Sequence, residues 1–241
     1  NNEIKEKRDF LDFNWGEEPH ESFKEFITKE TLIDRIYEKF MVVEEGDVVV
    51  DIGASIGPFT YSILRKKPKH VFCLEPCEEE FPTLIKNTIG HPVSHILKGI
   101  SNVNGIVDEN KLFNSVDGMQ TKMETITFKK FLELYGLDRI DFLKTDCEGG
   151  EYNIFEEENM NFLLNNVKFI AMEIHLNYND CREKFKNFRD NFLTQFKNYK
   201  VMSCTRQNIS WGNSLDIKDK IFDNEFIDQY TCEFMIYISN E

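Results

Sequence analysis

The stretch VVVDIGASIGPFT, Val48 to Thr60, constrains the fold of this chain more than any other. Val48, Val49, Val50 and Ile52 form the β-branched, apolar run of a strand covered on both faces. Gly53 and Gly57 bracket a tight turn, and Pro58 sits where the first turn of a helix tolerates a missing N–H. Such a strand–turn–helix brings bare backbone and a helix N-terminus up to a ligand. Spacing then selects the ligand. A dinucleotide fingerprint reads G-x-G-x-x-G. Here the pattern is D-x-G-x-x-x-G, carried by Asp51, Gly53 and Gly57. Ala54 and Ser55 fill the turn, so the glycine that admits a pyrophosphate is missing.

Two further segments follow in order. In HVFCLEPCEEEFPTLIKN, Val71, Phe72 and Leu74 make a second strand, with Glu75 and Pro76 at its end and a helix beyond. A carboxylate at that point can accept hydrogen bonds from both ribose hydroxyls of a nucleoside. In RIDFLKTDCEGGEYNIF, Ile140, Phe142 and Leu143 make a strand that ends at Asp146. Open α/β sheets bind ligands at such carboxyl ends.

The glycine turn resembles motif I of methyltransferases that use S-adenosylmethionine (SAM). With Glu75–Pro76 and KTDCEGGE at Lys144–Glu151, the chain resembles the FkbM family of SAM-dependent methyltransferases over roughly Val48 to Leu176. Ser55, where family members often carry Asn, and Cys147, where an aliphatic residue is usual, depart from the family pattern. The resemblance implies a SAM site drawn from Asp51, Gly53, Ala54, Ser55, Gly57, Glu75, Pro76, Ser101 and Asp146. It implies a doubly wound, mostly parallel seven-stranded Rossmann-like sheet whose last strand inserts antiparallel beside strand five.

Element reading agrees with that topology. Strands are expected near 47–52, 69–74, 93–98, 139–145, 167–175, 199–204 and 231–239, and helices near 58–66, 78–89, 128–135, 150–157 and 181–196. Alternation of this kind predicts a parallel sheet with helices on both faces. Residues 1–45 read as an irregular segment followed by a helix over Glu21–Met41, a candidate cover for the acceptor site. Residues 46–241 read as the SAM-binding domain, with an insertion at 206–230 as a candidate acceptor flap. Trp15 and Trp211 lie in the two irregular regions and could stack on an acceptor.

Methyl transfer from a sulfonium is an in-line displacement, and a hydroxyl acceptor must lose a proton near the transition state. The residues for that work gather at the ends of strands four and five. Asp146 faces the methionine ammonium or the acceptor. Glu148 is a catalytic candidate whose alternative role is to cap a helix beginning near Gly150. His175 is the favoured base, since imidazole titrates near neutrality. Glu173 lies two residues before His175, on the same strand face. Asp146, Glu173 and His175 could instead hold a divalent ion, although His is a poor magnesium ligand, so no metal is assigned.

Composition bounds the partners. Among 241 residues the net charge is −14, which argues against nucleic acid, a ligand that asks for a basic footprint. The expected acceptor is a small molecule or a carbohydrate. No apolar run reaches the length of a membrane span, and no secretory signal is visible. The six cysteines form no C-x-x-C pair, which disfavours zinc and suits a reducing cytoplasm; Cys73 and Cys232 are expected in strands. Two other functions compete: an NAD-dependent oxidoreductase, disfavoured by the glycine spacing, and a methyltransferase fold kept as a non-catalytic binding module.

Overall fold

A computed structural model describes residues 12–17, 20–108, 122–178, 180–203 and 214–241. Its centre is a seven-stranded sheet in the order β3-β2-β1-β7-β8-β10-β9. The strands are β1 (Val48–Ile52), β2 (His70–Leu74), β3 (Val93–Ile96), β7 (Ile140–Thr145), β8 (Val167–Ile174), β9 (Asn198–Ser203) and β10 (Phe234–Ser239). β1 pairs parallel with β2 and with β7, β7 with β8, and β2 with β3. β10 enters antiparallel between β8 and β9, as expected from the lack of a full crossover helix before it.

Each central strand sends apolar side chains to both faces, and alternation divides them between two cores. Val50, Ile52, Leu74, Leu143, Ile170 and Met172 face one core. Val49, Val71, Phe142, Ala171, Met235 and Tyr237 face the other. The helices that cover them are α2 (Pro58–Leu64), α3 (Phe81–Thr88), α4 (Phe128–Tyr135), α5 (Glu157–Asn165) and α6 (Cys181–Asn191). Gly136 ends α4 in the left-handed region, at φ 62°, and Thr127 Oγ1 caps its start by accepting from Lys130 N–H.

The structure corrects several element boundaries. Instead of one helix over 150–157 there is a short 3₁₀ turn, Glu151–Ile154, and the helix proper is α5. Glu157 and Glu158 in its first turn favour that start through the helix dipole. The segment Glu21–Met41 is not one helix. α1 (Glu21–Thr28) widens into a π turn at Lys29–Ile33, Arg35 adopts φ 48°, and a 3₁₀ turn follows at Ile36–Glu38. The expected strand at 93–98 stops at Ile96. Beyond it a small second sheet, unread in the sequence, joins β4 (Gly99–Ile100), β6 (Lys122–Ile126) and β5 (Gly105–Asp108) in that order. Helix α6 ends at Asn191, short of the expected 196, with a 3₁₀ turn at Leu193–Gln195. β10 starts at Phe234, so Cys232 precedes it and is only half-buried, while Cys73 is fully buried in β2.

Within the insertion, residues 214–230 hold a 3₁₀ turn, Lys220–Phe222, and helix α7 (Asn224–Gln229). Ile217, Ile221 and Ile227 bury themselves in the core. Arg182 and Arg189 on α6 donate to the carbonyls of Ile227, Tyr230 and Ile221. Trp211, Cys204 and the rest of 204–213 lie outside the described residues. No helix among the described residues is long and apolar enough to cross a membrane.

Candidate active site

A cleft of about 1240 Å³ opens at the carboxyl ends of the parallel strands. One end of it is made by the turn after β1 and by the end of β2. Gly53 has φ 75° and Ser55 φ 50°. A Cβ on Gly53 would lie 1.7 Å from the Asp146 carbonyl oxygen. The glycine is therefore required because the β1 turn presses against the end of β7, where Asp146 N–H donates to the Ile52 carbonyl at 3.0 Å. Gly57, at φ 90°, does a different job: a Cβ there would meet Leu84 at 2.8 Å, so it lets α2 pack on α3, and it does not line the cleft.

Asp51 lies beneath the floor rather than on it. Its side chain is fully buried, with Lys144 Nζ 3.0 Å from Oδ1 and Thr60 Oγ1 donating to Oδ2 at 2.7 Å. Lys144 also donates to the Gly53 carbonyl at 2.6 Å, which ties the turn to β7. Burial by itself would lower the Lys144 ammonium, but the Asp51 and Asp146 carboxylates outweigh it and hold the pKa above the usual value.

Glu75 is buried and faces the cleft. Its Oε2 accepts from Ser55 N–H at 2.7 Å and its Oε1 from Cys77 N–H at 2.8 Å. Each oxygen keeps a further lone pair for a ligand. Burial pushes the carboxyl up to about 7, against the lowering effect of those two N–H donors. Ala54, Pro76 and Ser101 line the same end.

The other end gathers residues from the ends of β7 and β8 and from the segment before β1. His175 is the first residue after β8 and points into the cleft with Glu173, as the alternation requires. Its Nδ1 lies 3.2 Å from Glu151 Oε1, and the same oxygen accepts its backbone N–H at 2.9 Å. Nε2 lies 3.6 Å from Asp146 Oδ1 and 3.5 Å from Glu148 Oε2. Burial would lower the imidazole, but Glu151, Glu173 and Asp146 outweigh it and hold the pKa well above 6.5. Glu148, at φ 51°, faces His175 and is no helix cap; Glu151 accepts Gly149 N–H at 2.8 Å instead.

Sequence reasoning missed Tyr37 and Glu30, because nothing local marks them. Tyr37 O–H donates to Asp146 Oδ2 at 2.6 Å and lies 3.5 Å from Glu173 Oε2. Glu173 is pushed well above the usual carboxyl range by burial first, then by Asp146 and Glu30. Phe23, Phe26 and Ile27 of α1 line the mouth above this corner. Trp15 does not: it packs edge-on against Phe13, with ring centroids 4.8 Å apart. Nor do the described residues of the insertion, 214–230, which lie off the cleft.

This sheet order, with a ligand cleft at the strand ends and an acid closing β2, defines a Rossmann-like methyltransferase fold. The family model for the Methyltransferase FkbM domain matches residues 51–201, and the chain belongs to that family. No curated protein sequence matches it. Among solved structures, SMU.1697c of Streptococcus mutans in complex with SAH is 11% identical, with a TM-score of 0.49 over 86% of this chain and 95% of that one. An rRNA methylase from Streptococcus thermophilus is 11% identical, with a TM-score of 0.46 over 92% and 96%. The METTL16 MTase domain is 11% identical, with a TM-score of 0.46 over 93% and 70%.

Proposed function

We propose that this chain is a SAM-dependent methyltransferase that methylates a hydroxyl group of a small molecule or carbohydrate. The observation that carries the reading is Glu75. It is a buried carboxylate at the end of β2, fixed by two backbone N–H groups, with lone pairs free toward the cleft. Such a group suits the two ribose hydroxyls of an adenosine, while the acidic far end suits a sulfonium and an ammonium. SAM, when bound, supplies the methyl group on a cationic sulfur. Gly53, Ala54 and Ser55 would lie along its methionine part.

The chain's own part is to orient and to remove water. Tyr37 fixes Asp146, Glu151 fixes His175, and both held side chains face the corner where an acceptor hydroxyl would enter. Phe23 and Phe26, each 40% exposed, give that entrance an apolar rim, and the segment before β1 acts as its cover. A net charge of −14 and the acids around the mouth disfavour a polyanionic acceptor, so nucleic acid is not the substrate in this reading. The chain lacks the N/D-P-P-Y/F segment of many amino-group methyltransferases, which favours oxygen over nitrogen. Free thiols at Cys73, Cys77, Cys147, Cys181 and Cys232 suit the reducing cytoplasm.

Turnover of SAM labelled in its methyl group against alcohols, sugars and secondary metabolites tests the proposal. The expected product carries the label on oxygen by mass spectrometry. A label on nitrogen or carbon would contradict O-methylation, and the absence of turnover with retained SAM binding would favour the non-catalytic module.

A further inference from the structure

The corner between β7 and β8 holds a set of atoms that methyl transfer by itself does not require. Glu151, whose side chain is fully buried, takes both His175 Nδ1 and the His175 backbone N–H, so the ring cannot turn. Nε2 is thereby aimed into the gap between Asp146 and Glu148. The His175 side chain is 4% exposed, and its Nε2 makes no hydrogen bond among the described residues. The nearest oxygens, Asp146 Oδ1 at 3.6 Å and Glu148 Oε2 at 3.5 Å, stand too far off for good hydrogen bonds.

Those separations match the edge of a coordination shell. Bonds of about 2.1 Å at the tetrahedral angle put two donors about 3.4 Å apart. One donor atom from each of Asp146, Glu148 and His175 lies within 4.8 Å of the others. Two details agree. Tyr37 occupies Asp146 Oδ2, which leaves Oδ1 as the atom turned toward His175. Glu151 behind the ring is the carboxylate partner that fixes the tautomer and raises the basicity of a metal-ligating histidine.

We propose that Asp146, Glu148 and His175 bind one divalent first-row transition ion, of the zinc or manganese kind. An imidazole beside two carboxylates suits those ions. Magnesium prefers an all-oxygen octahedral shell and releases its waters reluctantly. This set differs from the one read in the sequence, because Glu173 Oε2 faces Tyr37 and Glu148 takes its place. Cleft-facing positions on the ion would hold the acceptor oxygen. The ion's charge would offset Glu30, Glu173 and Glu233, which line the same pocket.

The test needs neither SAM nor acceptor. The full chain is stripped with EDTA and titrated calorimetrically with zinc chloride and, separately, with manganese chloride. One ion per chain is expected. Glu148→Gln should weaken binding at least tenfold; its side chain is 53% exposed, so the fold should survive. His175→Gln should do the same, and if that variant does not fold, Glu148→Gln alone decides. Glu80→Gln alters the other candidate group, Glu75, Cys77 and Glu80, and should bind the ion like the parent. No saturable binding by the parent, undiminished binding by Glu148→Gln, or a loss confined to Glu80→Gln would each overturn the proposal. SAM titrated into Glu148→Gln should bind as it does to the parent, which keeps failure of the metal site apart from failure of the cofactor site.

Discussion

The end of the cleft proposed for the cofactor joins groups that are close in sequence: Ser55 donates to Glu75 across 20 positions, between two neighbouring strands. The end proposed for the acceptor is assembled from afar. Tyr37 reaches Asp146 across 109 positions and Glu173 across 136. The first end is backbone geometry with one carboxylate, and a short motif marks it in the sequence, although Lys144 and Asp146 hold its turn against the end of β7. The second is a cluster of side chains with perturbed protonation, and its geometry depends on how the segment before β1 docks on the sheet. Binding of the cofactor and choice of acceptor should therefore respond to different residues.

The largest expected effect breaks the cofactor end. Gly53→Val must place a Cβ against the Asp146 carbonyl at positive φ, which costs on the order of 3–5 kcal/mol in stability. Thermal unfolding should show a large drop in Tm, and SAM binding should vanish in calorimetry. A variant with the parent's Tm would mean that β1 and β7 do not meet as described.

At the acceptor end, His175→Ala should lower kcat by roughly 10²–10⁴-fold, with SAM affinity nearly unchanged. Full turnover by this variant would reduce His175 to a core residue bonded to Glu151. Glu75→Ala should do the reverse, weakening SAM by about 1–3 kcal/mol through orphaned hydrogen bonds while sparing the acceptor corner. pH sharpens this contrast. An ionised Glu75 would accept from ribose hydroxyls, so bound SAM would favour the carboxylate and lower its pKa from about 7. Affinity should then rise as pH increases through about 7 and level off above it, and it should be lost as pH falls below. Glu75→Gln should flatten that profile in calorimetry.

The smallest effect tests the link between the segment before β1 and the sheet. Tyr37→Phe removes only the donor to Asp146, a bond worth about 1.5–3 kcal/mol when its partner is charged. Turnover should fall roughly tenfold to a hundredfold, with Phe59 and the other neighbours still packed. An unchanged kcat would separate Tyr37 from the chemistry.

Most of the sheet was legible because its signals are local. Val48–Ile52 and Ile140–Thr145 send apolar side chains to both faces, Gly53 marks the turn, and β10 follows without a full crossover helix. The small second sheet was missed because β4 is only two residues long, too short for any alternation. The break in the segment before β1 was missed because Phe23, Phe26, Ile27 and Leu32 keep a helical spacing through a π turn. At the site, Glu75 was placed by its distance from the glycines. Tyr37 and Glu30 had no such ruler. The setting of the His175 ring depends on Glu151, which reaches it only when the turn after β7 folds back. Asp51 reads as a ligand in the motif, yet it is the buried partner of Lys144, and only the packing of β1 beside β7 reveals that.

The central claim is that the ends of β1 and β2 form a SAM site rather than a dinucleotide site. Isothermal titration of the full chain with SAM and with NADH, at pH 8 where Glu75 is ionised, tests it most directly. The account predicts one SAM per chain and no NADH binding, with the SAM signal weakened in Glu75→Ala. NADH binding in place of SAM, or SAM binding untouched by Glu75→Ala, would contradict it.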